Sequence, residues 1–211
     1  MGRYSKGILG PVSGGVGTVV GSSWKGITYL RSQPLTKKRI PTVDQLDQQH
    51  RFSVVLNFVQ AILGLVQLTF KKQAVRMSEY NAAFAYIYHN AIIGKAPDYE
   101  IDFSKALVSK GDLPNATAPA ATLTNNTVFF TWTDNSGTGD ALPTDNAVLV
   151  AFCPNLNLST YSTTAAVRAD GAGSLDVSSF AGETIHTWIA FLSKNGVDAS
   201  NSIYTGELSP A

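Results

Sequence analysis

Charge is scarce in this chain. Lys, Arg, Asp and Glu make up 15% of its 211 residues, against about 25% in an average globular domain. Ser, Thr, Asn and Gly must therefore cover much of the surface. The hydrophobic fraction, 44%, is ordinary and sufficient for a buried core. The few charges are unevenly placed. Residues 1–75 hold ten Lys/Arg and two Asp, a net of +8. Residues 76–113 sum to −1, and residues 114–211, with two basic and eight acidic side chains, to −6. Opposite charge at the two ends favours head-to-tail contact between copies, or a basic end facing nucleic acid.

Cysteine is nearly absent too. Cys153 stands alone and excludes an intrachain disulfide. Its setting, V-L-V-A-F-C-P, reads as a buried thiol rather than a nucleophile. Glycines interrupt any apolar run in the first 30 residues, so no signal peptide is expected and synthesis in the cytoplasm is. The sequons at Asn115, Asn125 and Asn157 carry no weight without secretion. The three histidines, His50, His89 and His186, are scattered, and none has a partner at metal-ligand spacing. His50 and His89 can meet across a helix pair; His186 is expected at the surface or an edge. Asp98, Glu100 and Asp102 share one strand parity, which reads as a solvated face rather than a cation site. No nucleophile has a base at a sensible spacing. The expectation is a non-enzyme with no catalytic, cofactor-binding or metal residues.

Glycine, in contrast, is concentrated. The stretch Gly7–Arg39 carries Gly7, Gly10, Gly14, Gly15, Gly17, Gly21 and Gly26 among β-branched and aromatic residues, and ends in a basic cluster. Gly15-Val16-Gly17-Thr18-Val19-Val20-Gly21 has G-x-G-x-x-x-G spacing, not that of a dinucleotide fingerprint, and no βαβ pattern surrounds it. No Walker loop is present. Close backbone packing is the better reading. Val12, Val16, Val20 and Trp24 share one parity, and Val19, Ile27, Tyr29 and Arg31 the other. This predicts a hairpin over roughly 16–20 and 25–31, turning at Gly21-Ser22-Ser23. A lone hairpin is marginal in water, so it needs something to lie on. Val16, Val20, Trp24, Ile27 and Tyr29 are the candidate assembly residues. Lys25, Arg31, Lys37, Lys38 and Arg39 are the candidate contacts to nucleic acid or an acidic partner.

After a Pro-bounded linker, Thr42 and Gln45 form a candidate capping box. The apolar run that follows predicts one helix to about Thr69. Asn57, Gln60, Gly64 and Gln67 suit burial between protein surfaces, and no membrane span is expected. A second helix is predicted from Ser78 to about Ile92, ended by Gly94. A strand over Tyr99–Phe103 is a candidate partner for the N-terminal hairpin. Residues 112–126, rich in Pro, Ala, Thr and Asn, read as a domain boundary. Beyond them, strands are predicted at Thr127–Thr133, Ala147–Cys153, Ala165–Arg168, Ser174–Val177, Thr184–Ser193 and Ser202–Glu207.

The fold class is thus α+β. Residues 1–113 are expected to form a hairpin arm with an antiparallel helix pair and a strand. Residues 114–211 are expected to form an all-β sandwich. That half resembles a fibronectin type III or immunoglobulin-like module in its strand count, its tryptophans and its closing S-K-N-G…S-N-S-I-Y-T-G-E hairpin.

Specific strings carry a wider resemblance: G-x-V-G-T-V-V-G-S-S-W-K-G-I-x-Y-x-R-S-x-P (Gly15–Pro34), T-x-x-Q (Thr42, Gln45), Y-x-I-D-F-S-K-x-L-V-S-K-G-D-L-P (Tyr99–Pro114) and F-x-W-T-D-N-S-G-T-G (Phe130–Gly139). In these the chain is similar to a family of uncharacterised proteins from Bacteroidota and their phages, a domain of unknown function. The resemblance brings no chemistry. Asp47-Gln48-Gln49-His50 departs from the more basic run of the relatives, against a phosphate-binding helix start.

The leading expectation is a self-assembling structural protein: a homo-oligomer, a filament subunit or a phage-like virion component meeting other virion proteins, located in a virion or extracellular particle. The alternatives are a nucleic-acid-binding accessory protein using the basic N-terminal part, and a carbohydrate- or receptor-binding adhesin using the sandwich.

Overall fold

The computed structural model describes residues 3–4, 10–33 and 40–210. Two compact units divide the chain, Met1–Thr42 and Val43–Ala211. In the first, β1 (Arg3–Tyr4), β2 (Val12–Val16), β3 (Val19–Trp24) and β4 (Ile27–Ser32) form one antiparallel sheet in the order β1-β2-β3-β4. The expected turn at Gly21-Ser22-Ser23 is strand instead. The chain reverses at Lys25-Gly26, whose φ angles are +47° and +82°, the left-handed geometry of a tight two-residue hairpin. Gly21 serves a different end. A Cβ there would lie 2.1 Å from the Val12 carbonyl oxygen, so glycine alone lets β2 approach β3.

The second unit opens with α1 (Val43–Ala61), α2 (Leu63–Thr69) and α3 (Glu79–Asn90). The predicted single helix to Thr69 is two helices, bent by 79°. Strand β10 (Leu158–Ser162) explains the bend. Ser159 Oγ donates to the Ala61 carbonyl at 2.7 Å, satisfying an acceptor that the break frees. Gly64 follows, where a Cβ would lie 2.6 Å from the Tyr161 hydroxyl. Ser78 caps α3 as expected, accepting from the Asn81 amide. The helix then ends two residues early. Ile92–Lys95 is strand β5, paired antiparallel with β6 (Asp98–Ile101). The predicted companion strand therefore pairs with β5 and not with the N-terminal hairpin.

The remaining strands are β7 (Thr117–Thr124), β8 (Thr127–Thr133), β9 (Asn146–Cys153), β10, β11 (Ala172–Asp176), β12 (Ile185–Leu192) and β13 (Ile203–Leu208). They form two antiparallel sheets, β10-β9-β12-β13 and β11-β8-β7. This is the seven-strand sandwich of immunoglobulin and fibronectin III type that the sequence predicts. Of the predicted segments, 165–168 is no strand, whereas β7 lies where a boundary was expected and β10 where no strand was predicted.

The four-stranded sheet is buried on both faces, and this sets the layering. Val148, Val150 and Phe152 of β9, with Trp188, Ala190 and Leu192 of β12, join Val55, Phe58, Val59, Leu65 and Val66 of the helices in one core. The alternate residues Ala147, Leu149, Ala151 and Cys153, with Ile185, Ile189 and Phe191, pack against Val128, Phe130 and Trp132 in a second core. Helices, middle sheet and outer sheet thus make three layers. The compact units part at Thr42/Val43 and not at 113/114 because the helices and the middle sheet share one core. The expected boundary segment is sewn in. Leu113 N donates to Ala199 O at 3.0 Å, Ser109 Oγ to Ser200 O at 2.7 Å, and Ser202 Oγ accepts from Val108 N at 3.0 Å.

Among the described residues no single helix is long and apolar enough to cross a membrane. The bent pair α1–α2 passes on length and composition together, but Val55, Phe58, Val59, Leu65 and Val66 of that pair are buried in the core shared with the middle sheet.

Candidate functional site

The candidate assembly residues sit on the first sheet, and register sorts them. Trp24 pairs with Ile27, Ser22 with Tyr29 and Val20 with Arg31. Directly opposed residues share a face, so Val20, Trp24, Ile27, Tyr29 and Arg31 form one face. Val16 pairs with Val19 and belongs to the other, with Leu30 opposite Gly21. The parity grouping of Val16 with Val20 and Trp24 fails because the tight reversal at Gly17-Thr18 inverts it.

These apolar side chains find little cover. Trp24 is 53% exposed, Ile27 67% and Leu30 62%. Every residue of β4 is exposed, and Gly21 alone is buried among the described residues of the sheet. Among the described residues β4 is also an edge strand, with one row of backbone donors and acceptors unmatched by a further strand. Lys25, in the β3–β4 turn, holds its ammonium 5.4 Å from the Trp24 ring centre, a cation–π contact. Lys37, Lys38 and Arg39 lie outside the described residues. The first unit carries seven Lys/Arg and no Asp or Glu.

A second candidate lies in the three-layered unit. A cleft of about 530 Å³ opens between α1, β6, the β9–β10 turn and the start of β12. Among its lining residues are Asn57, Glu100, Phe103, Phe152, Asn157 and His186. His186 is buried rather than at the surface. Its even position in β12 turns it toward the helical layer with Trp188. Its ring stacks on Phe103 at 4.0 Å, and its Nδ1 is 2.8 Å from the Tyr204 hydroxyl. Burial pushes the His186 pKa below its ordinary value, opposed by the charge of Glu207; desolvation likewise pushes Tyr204 up. The imidazole is accordingly neutral at pH 7.

A buried ion pair, Arg168 with Asp145, lies inside the sandwich. Arg168 is fully buried. Its Nε donates to Asp145 Oδ2 at 3.2 Å, Nη1 to Asn135 Oδ1 at 2.7 Å and Nη2 to the Pro114 carbonyl at 3.2 Å. Its guanidinium lies 3.8 Å from the Phe191 ring centre. Burial lowers the Arg168 pKa and Asp145 opposes the shift. Four anchors make this a structural lock tying residues 114, 135, 145 and 168 together. The sequence signal for it was an arginine in a segment otherwise small and apolar, one of two basic residues after position 113.

Other candidates resolve plainly. Cys153 is buried, as expected. Asp102 lies just beyond β6, and its carboxylate is engaged by Lys105 at 2.8 Å and by Ser104. These contacts, Lys105 first, hold it below the ordinary carboxylate range. Among the described residues no group of His, Cys, Asp and Glu is arranged to hold a metal ion.

The sequence places the chain in a family. Residues 11–206 match the family model of DUF6266, a family of unknown function, and the match spans both compact units. The chain belongs to that family. No curated protein and no solved structure matches it.

Proposed function

We propose that this protein is a non-enzymatic structural subunit that assembles with copies of itself through its N-terminal sheet. The observation that carries the reading is the face of Trp24, Ile27 and Tyr29, exposed beside half-buried Val20 on a glycine-rich sheet that ends in an edge strand. Exposed aromatic and aliphatic side chains beside open backbone groups are chemistry for pairing with another chain. Charge supports the pairing, since the first unit is purely basic and residues 114–211 carry −6. Within this reading the protein is a component of a phage-like virion or a filament subunit, made in the cytoplasm and located in the particle, where other virion proteins are further partners.

Light scattering after size exclusion tests it. The full chain is expected to form oligomers at micromolar concentration, and the Trp24→Ser, Ile27→Ser double variant to run as a monomer with an unchanged second unit. A full chain that stays monomeric at high micromolar concentration overturns the reading.

One observation favours a second reading. Seven basic residues with no acidic neighbour in residues 1–42 suit a phosphate backbone, with Lys25, Arg31, Lys37, Lys38 and Arg39 as contacts. Retention on DNA or RNA should then fall with salt, by a slope of about 0.9 per neutralised phosphate. Retention that is absent at low salt removes this reading.

A further inference from the structure

The cleft of the second unit has no part in self-assembly as proposed above, and its lining is selective. Its volume of about 530 Å³ falls within the range of roughly 300–1,000 Å³ typical of small-ligand sites. Half-buried Ile101 and Phe103 supply an apolar surface. Buried Phe58 and Phe152 back it, with ring centres 5.8 and 5.7 Å from that of Phe103. Around this surface stand Asn57 from α1, Glu100 from β6 and Asn157 from the β9–β10 turn, all exposed. His186 adds a ring nitrogen. Its Nδ1 is taken by Tyr204, and Nε2 has no hydrogen bond among the described residues.

Each class of ligand can be weighed against these groups. The lining contains no Lys or Arg, and His186 is kept neutral by burial, so an anion would meet Glu100 without compensation. A wholly apolar ligand would strip water from Glu100, Asn57 and Asn157 and return no hydrogen bonds, a desolvation cost of about 1–3 kcal/mol per group. A matching ligand carries an apolar face, an edge rich in hydroxyl donors and acceptors, and no negative charge. We infer that the cleft binds a neutral saccharide, with the C–H face of a sugar ring on Phe103 and Ile101 and its hydroxyls on Asn57, Glu100, Asn157 and His186 Nε2.

The test uses the full chain and ligand-observed saturation-transfer NMR. The probes are the methyl glycosides of glucose, galactose, mannose and N-acetylglucosamine, with citrate and cyclohexanol as anionic and apolar controls. At least one glycoside is expected to receive saturation, with a Kd of about 1 mM, as suits a weak single-ring ligand. Asn57→Leu with Glu100→Gln, both at exposed positions, should weaken that binding by about tenfold or more while leaving the melting temperature unchanged; tenfold is about 1.4 kcal/mol. Three results overturn the inference: no glycoside binds at about 10 mM, binding survives the double variant, or citrate or cyclohexanol binds as well as the best glycoside. None of them bears on self-assembly, so the two proposals stand or fall separately.

Discussion

The two units solve the problem of stability in opposite ways. The second buries whole strands: every residue of β12, and all of β9 but Asn146, is inside. The described residues of the first bury almost nothing, and its β4 is exposed throughout. Apolar burial is the main favourable term in folding, roughly 25 cal/mol per Å² removed from water. Ordering a residue costs about 1–2 kcal/mol in backbone entropy. The second unit meets that cost within itself, by stacking three layers. Among the described residues of the first, hydrogen bonding along a glycine-rich sheet contributes far more than burial does. The contrast is one of completeness, not of secondary structure, since both units are largely antiparallel sheet.

The sharpest way to break the comparison is at Arg168. Arg168→Ala leaves Asp145 buried without its partner and should cost about 3–5 kcal/mol. Urea unfolding followed by fluorescence of the buried Trp132 and Trp188 reads this loss, while exposed Trp24 reports on the first unit separately. Next comes Phe58→Ala, which empties the joint between α1 and the middle sheet and should cost about 3–4 kcal/mol. That loss must appear in the single transition of the whole second unit. A sandwich that keeps its midpoint while the helices melt would restore a boundary at 113/114. Gly21→Ala sharpens the other side. With 2.1 Å to the Val12 oxygen, β2 and β3 must separate, so amide protection in residues 12–32 should vanish with the second unit's midpoint unchanged within about 0.5 kcal/mol.

The smallest effect is one of pH. The folded pKa of His186 is lowered from 6.5 by burial. Above pH 6.5 both folded and unfolded chains hold it neutral, and stability is complete. As pH falls below 6.5 the unfolded chain takes up the proton first, so stability declines until the folded pKa is reached. The slope is at most about 1.4 kcal/mol per pH unit. Midpoints measured from pH 7.5 to 5 should show it, and His186→Gln should flatten it. An unchanged slope in that variant would assign the loss to other groups.

Legibility in the sequence followed the physics of each element. Strands β8, β9, β12 and β13 announce themselves because apolar runs bounded by turns have few other readings. Their layering does not. Ile185 and Trp188 look like one face, yet they are three residues apart and point into different cores. Only the helices packed on β9 and β12 reveal why both parities are apolar. The bend at Ile62 was hidden because its cause, Ser159, lies 97 positions away. β7 was hidden because Thr and Ala serve an exposed strand as well as a linker. The face of Trp24, Ile27 and Tyr29 was half legible: its residues were identifiable, but their grouping depended on where two tight turns fell. His186 and Arg168 were missed because a polar residue in a buried strand or loop looks, in sequence, like one at the surface.

Because every residue of β9 after Asn146 and every residue of β12 is buried, the two strands contain almost no position where a substitution can drift without being felt. A comprehensive single-substitution library should therefore show two unbroken intolerant blocks, Ala147–Cys153 and Ile185–Leu192. Exposed β4 in the same library should tolerate polar replacements when only the second unit's folding is selected. Selection for assembly should remove that tolerance at Ile27 and Tyr29. On the proposed self-assembly, the pattern of permitted change along the chain would then distinguish the residues that fold the protein from those that join copies of it.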